Sequence, residues 1–240
     1  IGKKIIFRSI GQNVTNNENI LSKLRLLDIK IVRYSPYERT IIGYAGEDAI
    51  IRFAKKPEDF LEWSGQLKQV ITFGQSFKKR RQFCGYDYFI LATKGLPAKI
   101  YGPNNEDCGQ LWGGYLSYED QIKVLSQSAV YFYTGTYPAS YTLNFIEAAM
   151  AGCPMVALGN NLGNAPFFPG QRTYEVADLL SKYEAGVSSN NPFELHLLTS
   201  ELLENKEKQK KFSRNIKNMA LELFDYHKIK KEWASFLKNI

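Results

Sequence analysis

Short apolar runs alternate with segments of helical periodicity along most of this 240-residue chain. Runs such as "AVYFYT" (129–134) and "PMVAL" (154–158) lack the polar alternation of a half-exposed strand, so each predicts a strand buried on both faces. Helical text between consecutive strands leads to a parallel sheet covered by helices. The expected fold is therefore α/β, a Rossmann-like doubly wound sheet that takes its ligand at the carboxyl ends of the strands.

In the first part, "KKIIFRS" (3–9), "IKIVRYS" (29–35), "TIIGYA" (40–45) and "DAIIRFA" (48–54) are predicted strands. "NNENILSKLRLL" (16–27) is a predicted helix capped by Asn16 or Asn17, and "KPEDFLEWSG" (56–65) one that starts at Pro57 and stops at Gly65. A second unit opens with "QVITF" (69–73), which runs into Gly74 and a basic helix over 77–93. "AKIYG" (98–102) is the next strand, followed by a polar, Gly-rich loop over 104–114. "SYEDQIKVLSQS" (117–128) carries Asp120 three residues after Ser117, a near variant of the capping box, so a helix starts there. From about 174 to 240 the text is helical.

Composition excludes several classes. Apolar residues at 44% and charged ones at 23% are those of a globular protein, and no apolar run approaches the ~20 residues that span a bilayer. The opening residues read as a strand rather than a signal peptide. Cys84, Cys108 and Cys153 lack metal-ligand spacing and there are only two histidines, His196 and His227, so the expectation is a reduced, cytoplasmic protein without a metal site. The net charge is +7, but the basic residues crowd toward Lys206–Lys238, among Glu and Asp on helical text. That pattern reads as a solvated helix face, not a nucleic-acid surface, with peripheral contact to acidic lipid headgroups a weaker reading.

The chemistry concentrates in "TYPASYTLNFIEAAMAGCPMVALG" (136–159). A helix starting at Thr142 or Leu143 presents the N–H groups of 142–144 and the positive end of its dipole at a strand's carboxyl end, an anion site. Leu143, Phe145, Ile146 and Met150 are expected to pack inward, leaving Glu147 to face the same crevice. A diphosphate over the helix start would bring a ribose diol toward that carboxylate, which accepts two hydroxyl hydrogen bonds at once. An early-helix acid favoured by the dipole is the plainer account of Glu147, and the residues alone leave both open.

"TLNFIEAAMAGCPMVA" resembles the signature of the family-four retaining glycosyltransferases of the GT-B fold, E-x7-E-A-M-A-x-G-x-P-V-V-A. The resemblance implies that Glu147 holds the nucleotide ribose and that the amides of Thr142, Leu143 and Asn144 meet the donor diphosphate. Ala139 stands where the family has its first Glu, which contacts the transferred sugar. "TFGQSFKKRRQF" (72–83) is similar to the stretch carrying the family's two phosphate-binding cations. There Gly74 matches, Gln75 replaces the first cation, Arg80 falls on the second, and Ser76 and Lys79 lie beside them. Lys78, Lys79 and Arg81 are candidates to supply the missing charge. By a weaker similarity Gly102, Tyr115, Leu116 and Ser117 border the base.

The implied activity is transfer of a sugar from a nucleotide-diphosphate sugar, with retention and without metal or cofactor, to an unidentified acceptor: a glycan, a lipid-linked glycan or a protein. Arg80 and Glu147 are the implied catalytic pair. A nucleotide-sugar-binding module without turnover is the rival. The resemblance divides the chain into a partial acceptor-side unit (1–68), a donor domain (69–220) and a C-terminal helix crossing back (221–240). Two full Rossmann-like domains need more than 240 residues, so the expectation is a piece of a longer enzyme or a pared-down form. Asn160 and Asn161, in the loop over 159–175, are further candidates to face the donor.

Overall fold

Two parallel sheets carry the chain, and the computed structural model describes residues 3–11, 14–164 and 171–240. The first sheet holds β1 (Ile6–Arg8), β2 (Lys30–Arg33) and β3 (Ala49–Ile50) in that order, with α1 (Thr15–Arg25) between the first two. Ile6 pairs with Lys30 and Val32 with Ala49. Glu18 of α1 and Arg33 of β2 are fully buried and meet in two parallel hydrogen bonds of 2.8 and 2.7 Å. This fork-on-fork geometry lets two charges leave water together.

That ion pair explains a departure from the sequence reading. The predicted strand at 40–45 does not form: Thr40 ends a 3₁₀ helix (Pro36–Thr40), 42–43 turn, and the irregular backbone that follows serves the pair. Ala45 N–H donates to Glu18 Oε2 (2.8 Å), and Gly46 O accepts from Arg33 Nε (3.1 Å). Gly43 and Gly46 both have φ +80°, which glycine adopts without the Cβ penalty of a strand-forming residue. Helix α1 starts at Thr15 after Val14, with no side-chain cap from Asn16 or Asn17. The helix predicted at 56–65 is only a 3₁₀ turn, Pro57–Asp59; the amides of Ser64 and Gly65 donate instead to Ser126 O.

The second sheet is built from β4 (Leu67–Phe73), β5 (Ala98–Tyr101), β6 (Trp112–Gly114), β7 (Ser128–Tyr133), β8 (Met155–Leu158) and β9 (Gly186–Ser189). Its order is β6-β5-β4-β7-β8-β9, all parallel. The central strands β7 and β8 are buried at every position, which is why they read as unbroken apolar runs. The basic helix predicted at 77–93 is two, α2 (Arg81–Cys84) and α3 (Tyr86–Ala92), broken at Gly85 with φ +64°. A Cβ on Gly85 would stand 2.9 Å from the Thr134 side chain, so glycine lets α3 approach the sheet.

Helix α4 (Tyr118–Gln127) is capped as expected, Ser117 Oγ accepting from Asp120 N–H at 3.1 Å. Helix α5 (Leu143–Ala151) is buried from Phe145 to Ala151 and ends at Gly152, φ +74°, two residues before Pro154. Leu143, expected inside, is half-exposed at its first position. After α6 (Asn160–Gly163) and α7 (Val176–Lys182), the tail is not wholly helical. It contributes β9, whose sequence GVSS has no apolar signature because it forms the sheet edge. Helices α8 (Pro192–Glu204), α9 (Lys206–Leu223) and α10 (Tyr226–Lys238) complete the chain. The last of these lies on the first sheet, where Ile229 is buried with Val32 and Ile51 and flanked by Trp233 and Phe236.

Candidate functional site

From β4 the chain winds through β5 and β6 to one side; from β7 it winds through β8 and β9 to the other. The carboxyl ends of β4 and β7 therefore flank a topological switch point, where helix connections diverge and leave a crevice. Two adjoining hollows occupy it and share Phe73, Gly74, Gln75 and Asn144.

Glycine makes the junction of the hollows. Gly102 has φ +123°, and a Cβ there would come 2.4 Å from Gly74 O. Asn105, fully buried, ties the two loops. Its Nδ2 donates to Gly74 O (2.6 Å) and Gly102 O (3.1 Å), and its Oδ1 accepts from Phe77 N–H (2.6 Å). Sequence reasoning passed over Asn105 as loop text.

In the first hollow Arg80 and Gln75 face the start of α5, represented by Thr142 and Asn144. No carboxylate pairs with Arg80 among the described residues, so its charge is available to an anion. The other candidate cations are not equivalent. Lys78 Nζ donates to Asp107 O (2.9 Å), Arg81 is paired with Asp87, and Lys79 is exposed and does not line the hollow. Ser76, with φ +49°, is likewise outside both linings.

The helix start also differs from expectation. Thr142 holds the N-cap position without a side-chain cap bond, and its N–H is not free: it donates to Tyr133 Oη at 3.0 Å. Burial pushes the Tyr133 phenol well above its ordinary range, so it is a neutral hydroxyl that accepts this bond. The amides of Leu143 and Asn144, at the first two helical positions, remain without an intrahelical acceptor. Cys84 also lines this hollow, and burial pushes its thiol up against the opposing charge of Arg80.

The second hollow is bounded by Tyr101, Gly102, Pro103, Tyr115, Leu116 and Gln121. Ser117 stays outside it and serves as the cap of α4. Glu147 lines neither hollow. It is 5% exposed and sits behind Gln121, whose Nε2 donates to Glu147 Oε2 at 2.5 Å. Its other oxygen is paired with Lys55 Nζ at 2.5 Å. Neither Gln121 nor Lys55 carries a motif, and only the fold brings them to Glu147. Asn160 and Asn161 are engaged elsewhere: the Asn160 amide donates to Asp178 Oδ1 (2.7 Å), and Asn161 N–H donates to Asn190 Oδ1 (2.8 Å). The middle of that loop, 165–170, lies outside the described residues.

Solved structures superpose on most of this chain. HepE of Anabaena, solved in complex with UDP and glucose, superposes with a TM-score of 0.75 at 14% identity, over 99% of this chain and 72% of HepE. Sucrose-phosphate synthase from Thermosynechococcus elongatus gives 0.73 at 12% identity, over 98% of this chain and 66% of the enzyme. TarM of S. aureus, as a variant solved with UDP, gives 0.65 at 14% identity, over 92% of this chain but only 46% of TarM. The fold is that of the GT-B glycosyltransferases. No protein-family model and no curated protein sequence matches the chain. Among the described residues, no helix is long and apolar enough to cross a membrane.

Proposed function

We propose that the crevice binds a nucleotide-diphosphate sugar and that the protein transfers its sugar to an acceptor hydroxyl, with retention and without a metal. One observation carries the reading: Arg80, without a carboxylate partner among the described residues, and Thr142 and Asn144 at the start of α5 line one hollow at the switch point, and a second hollow adjoins it. Support comes from neighbours of the same fold, HepE having been solved with UDP and glucose and also with UDP-glucose.

In this reading the diphosphate lies between Arg80 and the start of α5, where the guanidinium and two N–H dipoles meet the charge that grows as the sugar leaves. The base occupies the hollow bounded by Tyr101, Gly102 and Leu116, and the ribose faces Gln121 and Glu147. The acceptor oxygen bonds to the anomeric carbon on the face from which the diphosphate departs. As the carbon–oxygen bond to phosphate breaks, the acceptor's proton passes to the departing phosphate oxygen. The protein then needs no nucleophile of its own, only stabilisation of the leaving group.

Calorimetric titration with UDP, GDP and ADP, without added metal, tests the site. Saturable binding of one of them is expected, and release of that nucleotide from its sugar conjugate on adding an acceptor would establish turnover. Absence of binding to all three would overturn the reading.

A further inference from the structure

Each carboxylate oxygen of Glu147 has one protein partner, and the more informative of the two comes from far away in the chain. Lys55 lies on the stretch that leads from the first sheet to the second, and its Nζ stands 2.5 Å from Glu147 Oε1. The same residue is fixed through its backbone. Lys55 N–H donates to Phe224 O (3.0 Å), and Lys55 O accepts from Tyr226 N–H (3.0 Å). Residues 224–226 form the junction of α9 and α10, where the chain returns to the first sheet. One residue therefore joins both passages between the sheets to a carboxylate that stands directly behind Gln121 of the second hollow.

The side chains are arranged to hold that carboxylate in one orientation. Lys55 is 19% and Glu147 6% exposed at the side chain, and the ammonium lies 4.9 Å over the Tyr118 ring. Gln121 takes the second carboxylate oxygen and itself lines the second hollow. Each carboxylate oxygen has two acceptor positions, so Lys55 and Gln121 use one apiece and leave one apiece for a pair of vicinal hydroxyls. A buried carboxylate without its cation would be costly, and a mobile one would recognise a diol poorly.

We propose that Lys55 is the positioning residue of the donor site: it fixes Glu147 to receive the ribose diol and ties that carboxylate to the two passages between the sheets. The proposal rests on the nucleotide-binding reading given above. It differs from a purely structural role in one respect. Removing Lys55 should weaken recognition of the diol specifically, not binding of the nucleotide as a whole.

The test compares the best-binding of UDP, GDP and ADP with its dideoxy counterpart, which lacks the diol, on wild type, Lys55→Met, Lys55→Arg, Glu147→Gln and the double variant Lys55→Met with Glu147→Gln. Wild type should prefer the diol form by about tenfold or more, the worth of a hydrogen bond to a charged acceptor. Lys55→Met should lose most of that preference with little change for the dideoxy form, and Lys55→Arg should restore part of it. The double variant, which buries no unpaired charge, should discriminate no less than Glu147→Gln alone. Preference retained or increased in Lys55→Met would overturn the role of Lys55 while leaving the nucleotide site standing. Equal binding of both forms by wild type would overturn the assignment of Glu147 to the ribose, and the role of Lys55 with it.

Discussion

Arg52 and Glu175 join the two sheets by a forked ion pair, Nη1 to Oε1 at 2.7 Å and Nη2 to Oε2 at 3.0 Å. Glu175 is 1% exposed at its side chain, and the Arg52 guanidinium lies 5.5 Å from the Tyr141 ring and 5.4 Å from that of Phe224. Around it Ser140 N–H donates to Tyr34 Oη (2.6 Å) and Tyr141 Oη donates to Tyr34 O (2.8 Å). The junction between the stretch after β3 and the start of α7 thus depends on a few polar groups set in aromatic surface.

Truncating one member of the fork leaves the other buried without a partner. Arg52→Ala should cost about 3–5 kcal/mol of stability, as for other broken buried pairs. Replacing both residues together should cost less than the sum, because no lone charge remains. Denaturant unfolding of the two single variants and the double variant measures the coupling. Strict additivity would show that the fork contributes nothing as a pair.

Much of this architecture was legible because the central strands obey a simple rule. β7 and β8 are buried on both faces and announce themselves as apolar runs, and α5 is bounded by Gly152 and Pro154 in plain text. What the sequence concealed was set by tertiary partners. β9 is polar because it is an edge, and 41–46 is irregular because its backbone serves Glu18 and Arg33. In the crevice, the local motifs place Gly74, Gln75, Arg80, Gly102, Leu116, Thr142 and Asn144 around adjoining hollows. Lys55, Gln121, Asn105 and Tyr133 act at a distance in sequence and left no pattern to read.

Arg80 offers a clean separation of binding from folding. It is exposed and bears no carboxylate partner among the described residues, so Arg80→Ala should leave the unfolding midpoint within experimental scatter. Affinity for a nucleoside diphosphate should fall about tenfold or more, since a charge-assisted contact to phosphate is lost. Lys78→Ala, whose ammonium is directed to Asp107 O, should change affinity much less. Equal losses in both variants would indicate a diffuse field rather than a defined contact.

The Lys55–Glu147 pair has a pH signature of definite sign. Burial alone would push the Lys55 ammonium down, but the hydrogen bond and charge of Glu147 outweigh it and hold the group above its ordinary value of 10.5. A cation whose folded-state value is raised contributes stability that is complete below its unfolded value and is lost as pH rises through the folded one. Wild type should therefore lose stability relative to Glu147→Gln only in alkaline solution, from about pH 10 upward. Urea unfolding of both proteins between pH 8 and 11 would show the difference, and a constant gap across that range would contradict it.

The three cysteines, Cys84, Cys108 and Cys153, are buried and free, and burial pushes all three thiols up. The thiolate is the reactive form, so alkylation near neutral pH should be slow in the native protein and fast in denaturant. Cys84 adds a local readout because it lines the first hollow beside Arg80. Its residual labelling should fall further when a nucleoside diphosphate is bound, whereas that of Cys153 should not respond. Mass spectrometry of alkylated peptides distinguishes the sites, and protection confined to Cys153 would place the ligand elsewhere.

Gly102 is the position where a single methyl group should do most damage to the crevice. Its φ of +123° is one that side chains rarely adopt, and a Cβ would meet Gly74 O at 2.4 Å, where backbone cannot give way as a side chain does. The shift needed would also strain the Asn105 bonds that join the two loops. Gly102→Ala should lose about 1–3 kcal/mol from the backbone conformation alone, with the collision adding to it. Nucleotide affinity should drop by more than the stability loss explains, because both hollows share the displaced Gly74 wall. Unfolding and titration on the same preparation separate the two effects. A variant that is destabilised yet binds normally would show that the Gly74–Gly102 contact supports the fold but not the site.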